Sequence, residues 1–102
     1  MSYDVSQMLI VIASRKQKDK LIAELRSHNA FYINSMYGHG SLEGSKFANL
    51  FSFSSESEKI VISSFIRSSQ VDEILNVLEE KFHFNQVNTG FAFTIPIERL
   101  SH

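Results

Sequence analysis

Three of the four glycines in this chain stand in one short stretch, GHGSLEG, at residues 38–44. The fourth, Gly90, stands alone near the end of the sequence. Glycine costs backbone entropy, and it permits positive φ angles and close approach of another group to the backbone. The cluster can therefore present backbone N–H groups to the oxygens of an anion, or it can be a plain turn. His39, between two glycines, can bond a phosphate or titrate near neutral pH, or it can be only a turn residue.

The composition indicates one small domain, residues 1–102, and excludes several functional classes. The formal net charge of −1 gives no basic stripe for nucleic acid. There is no cysteine, so disulfides and thiolate chemistry are excluded. The apolar run MLIVIA at residues 8–13 is too short to span a bilayer. We therefore expect a cytoplasmic protein without direct membrane insertion.

The hydrophobic periodicity predicts the order strand, helix, strand, long loop, strand, helix, strand. Apolar runs of strand length begin near residues 7, 30, 58 and 90, and helical spacing covers residues 16–29 and 68–82. Residues 1–6 resemble a loose tail, and residues 41–57 form a long serine-rich segment. This order predicts an α+β, ferredoxin-like sandwich with a four-stranded antiparallel sheet. Ser69, with Asp72 three residues later, is the expected cap of the second helix.

The strand order within this plan follows from chain connectivity. A right-handed crossover places the first and third strands at the sheet centre. These two are the most apolar of the four predicted strands. Pro96 suits an edge position for the last strand. Two helices cover only one face of such a sheet, although the central strands are apolar on both faces. The second face therefore needs a partner, and self-association is the simplest one.

Two segments carry a resemblance to a known family. Residues 8–44 and the segment NTGFAFTIPIERL at residues 88–100 are similar to the PII signal-transduction superfamily. Gly38, Gly40 and Gly44 match the Gly-x-Gly-x-x-x-Gly at the base of the family's T-loop, and Gly90 falls in its B-loop. The resemblance implies a homotrimeric nitrogen regulatory protein that binds ATP or ADP in the cleft between neighbouring subunits.

Several positions depart from the family pattern and indicate a divergent member. Leu42 replaces a glutamine at the T-loop base, and Tyr32 replaces a threonine that contacts adenine. The B-loop lacks its phosphate-binding lysine, and Arg99 alone remains of a C-terminal arginine pair. No tyrosine follows Tyr37 in the loop, so the family's tyrosine modification has no acceptor there.

The leading hypothesis is therefore a non-enzymatic PII-like regulator that binds a small anionic effector and signals to a target protein through a flexible loop. The expected ligand-binding residues are Gly38, His39, Gly40, Gly44, Gly90 and Arg99. The apolar loop residues Phe47, Leu50, Phe51 and Phe53 either contact the target protein or extend a hairpin and pack on a neighbouring subunit. No residue is expected to be catalytic.

Two alternatives share the predicted fold. One is a structural or interaction trimer without nucleotide binding, and the other is a metal-related trimer of the CutA type. The histidines show no metal-ligand spacing, so no residue is expected to bind a metal; they are His28, His39, His83 and His102. A cationic cluster, Arg15, Lys16 and Lys18, is either a solvated helix start or positive charge near an anion.

Overall fold

The computed structural model describes residues 6–37, 59–86 and 89–97. These residues form four strands and two α-helices in the predicted order. The elements are β1 (Ser6–Ser14), α1 (Lys18–Ser27), β2 (Phe31–Tyr37), β3 (Lys59–Arg67), α2 (Val71–Phe82) and β4 (Gly90–Pro96). Short 3-10 turns, Arg15–Gln17 and Ser68–Gln70, precede the two helices. No helix among the described residues is long and apolar enough to cross a membrane.

The sheet has the order β2-β3-β1-β4, and every neighbouring pair is antiparallel. The α+β, ferredoxin-like fold predicted from the sequence is thus confirmed. The two most apolar strands, β1 and β3, occupy the centre, and Pro96 ends the edge strand β4. An edge strand tolerates proline because a missing N–H there breaks no ladder hydrogen bond.

The core lies between one face of the sheet and the two helices. Alternate residues of β1 and β3 point to this face, as the period of two requires. The helices contribute residues spaced three or four apart, which share one helix face. The buried apolar side chains of this cluster are Leu9, Val11, Ala13, Leu21, Leu25, Ile60, Ile62, Ile66, Ile74, Leu78 and Phe82. Each large one contributes about 1.5–3 kcal/mol through its burial.

The predicted cap of the second helix is wrong. Gln70, not Ser69, holds the N-cap position of α2, and its side chain makes no capping bond. The 3-10 turn Ser68–Gln70 carries the chain from β3 onto the helix layer, so the α-helix starts later than the Ser-x-x-Asp pattern indicates. At its other end, α2 stops at His83, which has the left-handed backbone (φ 60°) common after helices.

Polar side chains tie the two helices to each other on the solvent side. Lys81 Nζ lies 2.9 Å from Glu24 Oε1. Gln70 Nε2 donates a 2.7 Å hydrogen bond to the carbonyl oxygen of His28. The His28 ring lies between Glu24, at 3.8 Å, and Glu73, at 3.5 Å. These contacts join residues up to 57 positions apart and fix α1 against α2.

The opposite face of the sheet lies away from both helices. The residues that alternate with the core positions line this face and are mostly apolar. The apolar ones in β1, β3 and β4 are Met8, Ile10, Ile12, Val61, Phe65, Phe91, Phe93 and Ile95. Ile95 is 46% exposed. We call these eight residues the open face.

A β-bulge interrupts the pairing of β2 with β3. Phe31 pairs with Phe65, and the regular register resumes only at Asn34 with Ser63. Tyr32, within the bulge, has a left-handed backbone (φ 51°), which is rare for a bulky residue. Its ring packs against Phe31 and Phe65, with centroids 5.6 and 5.8 Å away. The bulge therefore gathers three aromatic rings at one end of β2.

Candidate functional site

Most of the predicted site lies outside the described residues. This holds for Gly38, His39, Gly40, Gly44 and Arg99, and for the loop residues Phe47, Leu50, Phe51 and Phe53. Their assignments stay predictions. Gly90 lies in the described part of the chain, and the strand that leads into Gly38 is also described.

One row of paired residues crosses the whole sheet at this end. Tyr37 pairs with Ile60, Ile60 with Ala13, and Ala13 with Gly90. Tyr37 directly precedes Gly38 in the sequence. The start of the glycine cluster and Gly90 are therefore attached to the same end of the sheet.

The same row also separates the two features within one chain. β2 and β4 are the opposite edges of the sheet, so Tyr37 and Gly90 are three strand spacings apart. At about 4.8 Å per spacing, the separation is about 14 Å. Within one chain, the strand that leads into the predicted glycine cluster and the strand that begins at Gly90 therefore lie at opposite edges of the sheet.

Gly90 is required by packing, whatever else it does. Its φ is +155°, and a Cβ atom there would lie 2.6 Å from Cε1 of Phe84 and 3.0 Å from the carbonyl oxygen of Ile12. No side chain fits in that space without moving the Phe84 ring. The preceding residue closes the turn after α2, because the Thr89 hydroxyl lies within donating distance of the carbonyl oxygens of both His83 and Gln86.

The cationic cluster after β1 contacts the last residue of β2. The guanidinium carbon of Arg15 lies 3.9 Å from the ring centroid of Tyr37, and Lys18 Nζ lies 5.5 Å from it. Hydrogen bonds from Arg15 and then Lys18 lower the pKa of the Tyr37 hydroxyl. Sequence reasoning noted the cations but missed Tyr37 as their partner. Its only signal was its place directly before the glycine cluster.

A second missed residue is Lys59, at the start of β3. It pairs with Ser14 and is only 7% exposed. Burial lowers the pKa of its ammonium group, since a low-dielectric surrounding disfavours the charged form. Lys59 adds a further basic group at the sheet end that holds Tyr37 and Gly90. A lysine before an apolar run gave no sign of its burial.

A small pocket of about 150 Å³ lies between α2 and β4. It is lined by Leu75, Leu78, Glu79, Phe84, Phe91 and Ala92. Glu79 is its only charged lining residue, so the pocket does not suit a phosphate group. Elsewhere in the described ranges, no three His, Asp or Glu side chains are grouped as a metal site requires.

Comparison with known proteins gives a clear result for the fold alone. No family model and no curated protein matches the chain. Among solved structures, CPII from Thiomonas intermedia K12, bound to ADP, AMP and acetate, superposes with a TM-score of 0.68. The match covers 97% of this chain and 94% of CPII at 15% identity. The chain has the PII-like fold.

Two further structures share the PII-like fold with this chain. Arabidopsis thaliana PII bound to citrate gives a TM-score of 0.61 at 12% identity, covering 92% of this chain and 78% of PII. A functionally unknown protein from Pediococcus pentosaceus ATCC 25745 gives 0.67 at 14% identity, covering 98% and 99% of the two chains. The resemblance drawn from residues 8–44 and 88–100 is thereby confirmed at the level of the PII-like fold.

Proposed function

We propose that this protein is a divergent, non-enzymatic PII-like regulator whose homotrimer binds an adenine nucleotide, ATP or ADP, between neighbouring subunits. One observation carries the proposal: the Tyr37–Ile60–Ala13–Gly90 row, which attaches both glycine features to one end of the sheet but to opposite edges. A ligand that uses both features needs β2 of one copy beside β4 of another. CPII, which has this fold, binds ADP and AMP.

The open face supports self-association. Eight apolar side chains lie on the side of the sheet that neither helix covers, and their exposure ranges from 46% at Ile95 down to 5% at Ile12. Burying apolar surface contributes about 25 cal/mol per Å², and contiguous apolar patches of this kind usually mark an interface. A second and third copy of the chain would bury these faces together and bring unlike sheet edges next to each other.

The loop at residues 41–57 is the segment through which the proposed regulator would signal to a target protein. Bound nucleotide would order the segment that follows Tyr37, and its apolar residues Phe47, Leu50, Phe51 and Phe53 would contact a target protein. Hydrogen exchange should then show residues 41–57 unprotected without nucleotide and protected with it. Equal protection in both states would favour an extended hairpin that packs on a neighbouring subunit.

One observation favours a second candidate, an interaction trimer that binds no nucleotide. The contact of Gly90 with Phe84 explains this glycine by packing alone. A nucleotide is then not needed to account for Gly90, and the cluster at residues 38–44 would be a turn.

Assembly is tested by light scattering at micromolar concentration. The wild-type protein should give three times the chain mass of 11.7 kDa. Ile10→Asp places a charge in the centre of the open face and should give a lower mass. Asn76→Asp adds the same charge at an exposed position of α2 and should remain a trimer. A monomeric wild-type protein would remove the basis for an inter-subunit site.

Nucleotide binding is tested by thermal shift and calorimetry with ATP, ADP and AMP. A ligand at one hundred times its Kd stabilises the folded state by about 2.7 kcal/mol, which raises the Tm measurably. The absence of any shift at millimolar nucleotide, in a protein that is trimeric, would replace the first proposal with the interaction trimer.

A further inference from the structure

The solvent side of the helix layer carries opposite charge on its two helices. On α1 and the turn before it, cations outnumber anions among the exposed charged residues, which are Lys16, Asp19, Lys20 and Arg26. On α2, anions outnumber cations among the exposed charged residues, which are Asp72, Glu73, Glu79, Glu80 and Lys81. The layer is therefore positive over α1 and negative over α2.

Several of these charges are open to a contact with another molecule. The contacts between the two helices already use Lys81 and Glu73. No ion pair between described residues involves Lys20, Arg26 or Glu80. An exposed pair of helices with unlike charge is complementary to any surface that repeats the pattern in the reverse order.

The contacts between the helices fix their alignment within one chain. Glu24 contacts Lys81, whereas His28, one turn further along α1, contacts Glu73 near the start of α2. The two helices are therefore antiparallel. Lys20, about one turn before Glu24, is then level with the C-terminal end of α2.

A second copy of the chain has the complementary surface. A two-fold axis that runs between the helices and parallel to them places α1 of each copy over α2 of the other. This rotation keeps every residue at its level along the helices, so Lys20 of one copy would face Glu80 of the other, and each such pair forms twice. Rotation about an axis across the helices would place α1 over α1, which like charges disfavour.

The area of the helix layer limits the strength of such a contact. The longer helix, α2, has 12 residues and is about 18 Å long, and two adjacent helices are about 20 Å wide. The footprint of about 360 Å² per copy is below the roughly 800 Å² per partner of a stable interface. The contact should therefore be weak, and it should depend on salt because salt screens exposed charges.

We infer that the helix layer is a docking surface for a second copy of this chain, with α1 of each copy on α2 of the other and Lys20 facing Glu80. This layer and the open face lie on opposite sides of the sheet. The contact is therefore separate from the proposed trimer and would join one assembly reversibly to another. It requires no nucleotide.

Light scattering at two salt concentrations tests the contact. The Debye length is about 30 Å at about 0.01 M salt and about 3 Å at about 1 M. At low salt the mass of the wild-type protein should rise with protein concentration, and at high salt it should stay constant. A constant mass at low salt, or an equal rise at both salt concentrations, overturns the inference.

Two charge-reversal variants and their mixture test the predicted pairing. Lys20→Glu and Glu80→Lys each bring like charges together in both halves of the contact, so each variant alone should self-associate about tenfold or more weakly. An equimolar mixture should recover the association, because every pair between the two variants is again of opposite sign. Arg67→Glu makes the same change of charge as Lys20→Glu at an exposed position at the end of β3, and it should associate like the wild-type protein.

The variants give clear contrary outcomes. Association of Lys20→Glu at the wild-type level would place the contact elsewhere and overturn the inference. Failure of the mixture to associate, with both variants folded by circular dichroism, would overturn the two-fold pairing and the inference with it.

Failure of this inference and failure of the proposed function give different results. The open face is apolar, so high salt leaves its contacts in place, and the mass at about 1 M salt tests the proposed trimer. A trimer that gains no mass at low salt contradicts this inference alone. A protein that is monomeric at high salt but gains mass at low salt, with the predicted response of the variants, contradicts the proposed function alone.

Discussion

Gly90 lies directly against the ring of Phe84, so that a Cβ atom at position 90 would come within 2.6 Å of the ring. The carbonyl oxygen of Ile12 closes the other side at 3.0 Å. Phe84 in turn packs on the core beside Phe82, with ring centroids 6.3 Å apart. The first residue of β4 is therefore held between the end of α2 and the central strand β1.

Gly90→Ala should destabilise the protein by about 1–3 kcal/mol, because the added methyl group displaces the Phe84 ring. Its φ of +155° adds backbone strain. Urea unfolding measures the difference. In a Phe84→Leu background the same substitution should cost less, since the ring is gone. An equal cost in both backgrounds would show that Phe84 is not the reason for glycine here.

Two substitutions at Tyr32 separate its backbone strain from its ring contacts. Tyr32→Gly and Tyr32→Val both remove the ring, but only valine retains a side chain at φ 51°. The valine variant should be less stable than the glycine variant by about 1–2 kcal/mol. Thermal unfolding of the two purified proteins makes the comparison. Equal stability would mean that the bulge rearranges when the ring is lost.

Acid should weaken the contact between α1 and α2. The hydrogen bond from Lys81 lowers the pKa of Glu24, and the charges of Lys81 and His28 act in the same direction. A carboxylate with a lowered folded-state pKa stabilises the protein above its unfolded pKa, about 4.3 for glutamate. That contribution is lost as the pH falls through the lower folded-state pKa.

The pH dependence of Tm between pH 3 and pH 7 measures this loss. Glu24→Gln should flatten the acid side of the profile relative to the wild-type protein. Glu80→Gln, an exposed position on α2, serves as the control and should leave the slope unchanged. The assignment to Glu24 is wrong if both variants keep the wild-type slope.

Substitutions at Ile62 and Gly40 should affect different properties, the stability of the fold and the binding of ligand respectively. Ile62 is fully buried, and Ile62→Ala should cost about 2–5 kcal/mol through lost burial and a cavity. Gly40→Val, in the segment outside the described residues, is predicted to abolish ligand binding while the trimer stays folded. Circular dichroism and nucleotide calorimetry on both variants distinguish the two effects. Unfolding of Gly40→Val would reduce the glycine cluster to a turn.

Much of the fold could be predicted because its signals are local. The apolar runs of β1 and β3 indicate strands buried on both faces, and their connectivity places them at the centre. The apolar residues at helical spacing in α2, which include Ile74 and Leu78, predicted the second helix. The prediction of the N-cap of α2 was wrong. A 3-10 turn lies between Arg67 and Val71, and its formation depends on how β3 meets the helix layer.

For the candidate site too, the sequence indicated single residues, and only the structure showed which of them are in contact. The sequence alone gave its glycines, since glycine is chemically distinctive wherever it stands. The sequence also showed the cations Arg15 and Lys18, but it did not show which residue they contact. The contact of these cations with Tyr37, and of Gly90 with Phe84, joins different elements, and no local pattern encodes such a contact.

By itself the sequence determined the elements, their order and the central position of β1 and β3. Strands and helices repeat their apolar residues every 2 and 3.6 positions, and such a repeat can be recognised within one short segment. Only the tertiary structure decided which residues meet. A period of two says which face a side chain takes, but a shift by two residues keeps the same pattern. The row from Tyr37 to Gly90 therefore needed the actual strand register, which places these two residues at opposite edges of the sheet.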